Sequence, residues 1–389
     1  MTLINLPLAT SSWDDREINA MQEVIDSRIF SMGKKVEEFE KKFAEYLNCK
    51  YSIMVNSGSS ANLLMIASLF FTKKPFLKPG DEVIVPAISW STTYFPLHQY
   101  GLKIKFVDID KETLNIDIEK LKKSITSSTK LIMLVNLLGN PNEFDAIKNL
   151  IKGKNIQIIE DNCESLGSVY KEKFTGTFGL CGSFSTFFSH HISTMEGGVI
   201  ATNNDEIYQI LLSLRAHGWT RNLPKINLVS GTKSDDDFEE SFKFVLPGYN
   251  LRPLELSGAV GIEQIRKLKN LIEMRRKNAA HFQSIMKDHP YFIIQREIGK
   301  SSWFGFSILL KENCGFSRKK LIRFLKDNLI EYRPIVTGNF SKQPVIRYLN
   351  ADLGEDLSNA DFVDKNGLFI GNHHIDIRTN LDVLNDFKV

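Results

Sequence analysis

Near the N-terminus, EINAMQEVID and KVEEFEKKFAEYLN repeat their apolar residues at the three-to-four spacing of amphipathic helices, and Ser31-Met32-Gly33 separates them as a natural break. A short apolar stretch, YSIMV, follows as a strand and runs directly into Asn56-Ser57-Gly58-Ser59-Ser60 and the apolar helix ANLLMIASLFF. Strand, small-residue turn and helix N-terminus together form the geometry of an anion cup. Farther on, EVIVPAIS, IKFVDID, KLIMLVNLLG, IQIIED, GSFSTFF and GGVIAT are short, and several are continuous and β-branched rather than alternating. That is the pattern of strands buried on both faces. IEKLKKSI and EFDAIKNLIKG lie between them with helical spacing, as crossover connections require. The pattern therefore predicts an α/β fold with a mostly parallel sheet covered by helices on both faces.

After Pro253, LELSGAVGIEQIRKLKNLIEMRRKNAAHFQSIM reads as one long helix or two consecutive ones leading away from the sheet. SWFGFSILL and IEYRPIV read as strands, with SRKKLIRFLKDN as a helix between them. The expected division is a large α/β domain over 1–253, including the N-terminal helices, and a smaller C-terminal α+β domain over 254–389. SGTKSDDDFEES is the one polar stretch expected to be a mobile loop, and no internal repeat is visible.

Composition narrows the function classes. The chain has 389 residues, 42% hydrophobic and 24% charged, which suits a soluble enzyme of two or three lobes. A net charge of +3 is too mild to point to nucleic acid or membrane as the main partner. No apolar run approaches the roughly 18 residues that span a bilayer, and MTLINLPLATSSWDD lacks secretory-signal regions, so a cytoplasmic location is expected. Cys49, Cys163, Cys181 and Cys314 lack CxxC or CxC pairing and read as buried free thiols. The adjacent pairs His190-His191 and His373-His374 can in principle meet at a metal, but no ligand spacing accompanies them and no metal is expected.

Three segments carry candidate chemistry. The Ser57-Gly58-Ser59-Ser60 turn offers N–H groups and hydroxyls to a phosphate at a positive helix end, although alone it reads at least as well as a serine N-cap. In IIEDNCESLGS, Asp161 and Glu164 follow a buried strand, where ligand sites of open α/β sheets lie. A helix-capping Asp161 with a solvated Glu164 is an equally good account of that segment in isolation. GSFSTFFSHHISTMEGGVIAT is more specific: a strand with serines, two histidines, and a Glu-Gly-Gly turn that permits close approach of backbone or ligand.

In this order the three segments resemble the sugar aminotransferase (DegT/DnrJ/EryC1/StrS) family of fold-type I enzymes, which use pyridoxal or pyridoxamine 5'-phosphate. The resemblance covers nearly the whole chain. It implies that Gly58, Ser59 and Ser185 hold the cofactor phosphate, that Trp90 in PAISWSTTY stacks on the pyridine ring, and that Asp161 pairs with the ring nitrogen. Glu164 is expected one helical turn beyond Asp161, near the phenolic oxygen, if a helix begins there. Asn250 in PGYNLRPLE matches an Asn that reaches the phosphate of the other subunit, which implies a homodimer with shared active sites. Counting back from Glu196-Gly197-Gly198, the family's cofactor-anchoring lysine falls on His190, and no lysine occurs between Lys173 and Lys225.

Imidazole cannot anchor the cofactor aldehyde, but with an ordinary pKa of about 6.5 it can move protons at neutral pH. The resemblance then implies a non-covalently held pyridoxal or pyridoxamine phosphate, with His190 as acid and base. The implied reaction is removal of the C3 hydroxyl from GDP-4-keto-6-deoxy-D-mannose, with L-glutamate as amino donor. A related branch that carries an iron–sulphur cluster has additional cysteines that this chain lacks. GDP is inherited from the resemblance. His217, Arg221, Arg252 and Arg333 are candidates for the glutamate carboxylates or the sugar diphosphate, with surface or structural salt bridges as the competing account. Phe242 and Phe244 either close the site from the partner subunit or pack in the core. Two other readings stand beside this one: a 4-keto sugar aminotransferase with a displaced lysine, and a cofactor-binding sensor without catalysis. A nicotinamide enzyme is disfavoured because the GxGxxG turn is missing.

Overall fold

The computed structural model describes residues 6–354 and 356–388. In chain order the large domain sets α1 (Asp15–Ser27), α2 (Lys34–Leu47), β1 (Tyr51–Val55), α3 (Gly58–Ser68), β2 (Glu82–Pro86), α4 (Ser91–Gln99), β3 (Lys103–Val107), α5 (Ile118–Ser124), β4 (Thr129–Val135), α6 (Phe144–Ile151) and β5 (Gln157–Asp161). The strands Cys181–Ser185 and Gly198–Thr202 and the helix α7 (Asp205–Arg215) follow. The eight-stranded sheet runs β1, Gly198–Thr202, Cys181–Ser185, β5, β4, β2, β3, Ala351–Asp352. Gly198–Thr202 is antiparallel to both neighbours, and every other pairing in the sheet is parallel. The continuous apolar runs of the sequence are the central strands: Val83, Ile84, Val85, Leu131, Ile132, Met133 and Ile159 are all buried. This is the expected α/β body with a mostly parallel sheet.

A second, antiparallel sheet of Phe292–Ile294, Gly305–Leu310, Gly367–Gly371 and Tyr332–Arg333 forms the smaller body. The long helix is a single one, Glu255–Met286. Its Ile262, Leu268 and Ile272 pack with Phe39 and Phe43 of α2, whereas Ala279, Phe282 and Met286 pack with Phe306 and Ile308 of the small sheet. The two bodies are also laced together elsewhere: Ala351–Asp352 adds to the edge of the large sheet, and Leu6 pairs with Ile330 inside the small one's core.

Three elements depart from the pattern reading. In IEYRPIV only Tyr332 and Arg333 pair with the sheet, because Pro334 has no N–H to continue the ladder. α7, capped by Asn204 through Ile207 N–H, is a helix that the pattern reading does not anticipate. SGTKSDDDFEES is a built turn rather than a bare loop. Gly231–Thr232 pairs with Ile226–Asn227, Asp236 caps the short helix Asp237–Glu240, and Glu240 accepts from Ser234 N–H and the Thr220 hydroxyl.

The Gly-Gly turn is explained by a close approach. A Cβ on Gly198 would lie 2.2 Å from the Ser57 carbonyl oxygen, so the start of α3 can rest against this strand only if residue 198 lacks a side chain. Gly198→Ala should therefore destabilise the protein by about 1–3 kcal/mol in denaturant melts, with weakened cofactor retention because the start of α3 must shift.

Candidate active site

The carboxyl ends of the parallel strands open into a cavity of about 390 Å³. Gly58, Ser59, Trp90, Asp161, Glu164, Ser185 and His190 all line it, although they come from four separate stretches of chain. Ser57 caps α3 by accepting from Ser60 N–H at 3.1 Å, so the next N–H groups face the cavity with no intrahelical acceptor. Gly58 lies so near Ser185 that a Cβ would sit 2.8 Å from the serine's own. The Ser59 hydroxyl pairs with that of Thr92 at 2.9 Å. This corner is a positive, hydroxyl-lined cradle.

Asp161, the last residue of β5, is held on three sides. Asn62 Nδ2 and the Thr93 hydroxyl each donate to its Oδ2 at 2.8 Å, and Cys163 N–H donates to Oδ1 at 3.2 Å. Ser183 in turn donates its hydroxyl to Asn62 Oδ1 at 2.6 Å. Asn62 and Thr93 were not singled out by the sequence. The one signal for Asn62 was a polar residue inside the apolar run ANLLMIAS.

No helix begins after Asp161. A turn closed by Ser165 N–H to the Asn162 carbonyl takes its place, and Glu164 reaches the cavity from that turn. Glu164 accepts from Leu138 N–H at 3.0 Å. Burial pushes its carboxyl up to about 7, with the Leu138 N–H pulling the other way and the Asp161 charge adding to the rise. Trp90, just before α4, is 58% exposed and offers a free indole face.

His190 sits at the rim with its ring 5.1 Å from that of Phe304, and its buried Nδ1 has no protein partner. Burial lowers the imidazole to about 4, with the Arg275 guanidinium adding to the effect. It is therefore neutral at pH 7 and able to accept a proton. His191 is fully buried, does not line the cavity, and donates Nε2–H to the Ser302 carbonyl at 3.2 Å. No lysine lines the cavity.

The remaining candidates lie outside this cavity. Asn250 is exposed and accepts from Arg252 Nε at 3.0 Å. Arg221 stacks over Trp219 at 4.8 Å, and His217, Phe242 and Phe244 surround the same indole. Phe242 and Phe244 are 69% and 55% exposed, so core packing is not their role in this chain. Arg333 is exposed on the small sheet. Of the cysteines only Cys181 is fully buried, and Cys163 lines the cavity, which corrects its reading as a bland core thiol. Among the described residues, no group of three or more His, Cys, Asp or Glu is placed to hold a metal, and no helix is long and apolar enough to cross a membrane.

The donor set fits a phosphorylated aromatic cofactor: an amide and hydroxyl cradle at one end, a fixed carboxylate at the other, and an indole face between them. The chain belongs to the DegT/DnrJ/EryC1/StrS aminotransferase family, whose pattern spans residues 11–375. Within it, the chain is 60% identical over 385 residues, 99% of either protein, to the GDP-4-keto-6-deoxy-D-mannose 3-dehydratase of Escherichia coli O55:H7. It matches the solved structure of the E. coli GDP-4-keto-6-deoxy-D-mannose-3-dehydratase with bound hydrated PLP at a TM-score of 0.98, with 60% identity and 99% of each chain covered. It matches a GDP-4-keto-6-deoxymannose-3-dehydratase with a trapped PLP-glutamate geminal diamine at 0.97, with 60% identity, covering 98% of this chain and 99% of that one.

The Glu164 environment makes a stability prediction. Because its folded pKa is raised, the fold favours the protonated acid, and stability falls as pH rises from the unfolded value of about 4.3 to about 7. In the cofactor-free protein, Glu164→Gln should gain in Tm relative to the parent between pH 4.5 and 7, then hold level. Scanning calorimetry across that range checks this, and a pH-independent difference would refute it.

Proposed function

We infer that this protein removes the C3 hydroxyl of GDP-4-keto-6-deoxy-D-mannose in a pyridoxamine phosphate-dependent dehydration, with L-glutamate restoring the amine form of the cofactor. The carrying observation is His190: a neutral imidazole stands where the family resemblance expects a lysine, in a cavity that contains no lysine. The relatives' activity and the glutamate adduct of the solved structure support the same reading. Bound here, the cofactor would supply an amine for the sugar's C4 carbonyl and a ring able to store electrons.

The chain's own residues divide the remaining work. Gly58, Ser59 and Ser185 would hold the phosphate, and Trp90 would cover the ring. Asp161, fixed by Asn62 and Thr93, would keep the ring nitrogen protonated. Glu164 would face the phenolic oxygen. His190 takes a proton from the carbon that bears the cofactor's amine and delivers one to the departing C3 hydroxyl, so one imidazole serves both transfers. With no lysine at the cavity, nothing competes for the cofactor aldehyde, and it is held without a covalent bond.

Incubation with GDP-4-keto-6-deoxy-D-mannose, pyridoxal phosphate and glutamate should release ammonia and a 3-deoxy-4-keto sugar. A stable 4-amino sugar, or a lysine adduct after borohydride reduction, would overturn the reading in favour of an aminotransferase. His190→Asn should lower kcat by at least about 10²-fold while retaining cofactor.

The exposed Asn250 and the Phe242 and Phe244 edges support a homodimer in which Asn250 completes the partner's phosphate site. Arg221, Arg252, Arg333 and His217 would be the candidates for the glutamate carboxylates or the sugar diphosphate. Mixing His190→Asn and Asn250→Ala subunits should restore roughly a quarter of wild-type activity, because half the dimers carry one intact site. An active monomer by light scattering would contradict the shared site.

A further inference from the structure

The two histidine pairs of the sequence converge, but on a guanidinium rather than a metal. Arg275, on the long helix, is buried and has no carboxylate within ion-pairing distance among the described residues. Its Nη1 donates to the Phe304 carbonyl at 3.1 Å and to the Asn372 carbonyl at 2.7 Å, and its Nε has no partner. Phe304 is the wall against which both His190 and His191 pack, with ring centroids 5.1 and 5.9 Å away. Asn372 immediately precedes His373-His374, and its Nδ2 donates back to the Arg275 carbonyl at 3.1 Å. The neighbouring Arg276 clamps the same segment from the other side through the Ser301 carbonyl at 2.8 Å. A cation is unusual in such a place unless paired.

We propose that Arg275 is a positioning residue for His190: it fixes the Phe304 wall against the imidazole, and its uncompensated charge opposes a second cation there, so that the base rests neutral. This builds on the reading of His190 as the proton carrier. Asp161 and Glu164 lie on the same cavity, from β5 and the turn after it, and Glu196 lies at the Gly-Gly turn. The one influence that favours the imidazolium is the Phe187 backbone, whereas these acids line the same cavity without contacting the ring. Arg275 is the opposing charge, with neutral His191 beside it. Burial alone lowers the guanidinium only to about 10, so it remains charged throughout the working range. All four histidines are depressed, with burial first and Arg275 second in each.

The test is the pH profile of kcat in the holoenzyme. Arg275→Gln keeps donors for the two carbonyls and removes the charge, so the acid limb should move up by at least about half a pH unit. Arg275→Lys keeps the charge and should leave the limb in place while lowering kcat through a looser wall. A folded Arg275→Gln enzyme with an unmoved acid limb overturns the proposal, even where His190→Asn is inactive and the proton-carrier reading stands. If Arg275→Gln fails to fold by circular dichroism, Arg275→Met, which keeps the unbranched stem without the charge, is compared with the parent by NMR titration of His190 in the holoenzyme. A higher His190 pKa in the variant supports the proposal, and an unchanged one overturns it.

Discussion

The carboxylate of Asp161 is the constraint around which this site is built. It ends β5 in the interior of the protein, where an ionised acid is tolerable only with hydrogen-bond donors around it. Those donors come from different elements: Asn62 from α3, Thr93 from α4 and Cys163 N–H from the following turn. Satisfying one buried carboxyl group therefore fixes the helix that carries the hydroxyl-lined cradle, the helix that presents Trp90, and the turn that carries Glu164. The hydroxyl-lined cradle, the indole face and the carboxylate are set relative to each other by the protein alone, the preorganisation that a ligand held without a covalent bond requires.

The same economy holds at the junction of the two bodies. Leu138 N–H donates to Glu164, and the Leu138 and Gly139 carbonyls accept from Phe304 and Ser302 N–H. Those two residues belong to the segment that walls His190 and accepts the His191 hydrogen bond. The acid at one side of the cavity and the base at the other thus share a backbone ladder, and displacement of the small body would be felt by both.

Much of the fold was legible because local pattern and final burial agree. The β-branched runs EVIVP and LIMLV are buried central strands, and the capped, periodic segments are helices. The residues of the cavity were legible for a different reason: a motif such as SGSS or HHISTMEGG fixes backbone geometry locally, so its chemistry travels with its sequence. What escaped is what folding alone brings together. Asn62 and Thr93 lie 99 and 68 positions from Asp161, and nothing in their neighbourhoods names the partner. The division of labour between His190 and His191 is equally invisible, because adjacent residues differ here only in which way the turn points them. Asn250 and the exposed aromatics around Trp219 mark the limit of a single chain, because the role proposed for them needs a second copy.

Replacing a lysine by a histidine changes more than the reacting atom. A lysine that anchors a cofactor has its nitrogen tied up in the imine it makes. An imidazole makes no such bond and must stay neutral by its surroundings alone. Around His190 those surroundings are apolar rings, a buried Nδ1 with no acceptor, and Arg275 beyond Phe304. Each raises the free energy of the imidazolium, and together they leave the free base ready at neutral pH. A proton gained by His190 would be held weakly, as the proposed delivery to a leaving hydroxyl requires. A base kept neutral by burial is for that reason also a strong acid once it has been charged, and this is the property a single residue needs to serve both halves of a dehydration.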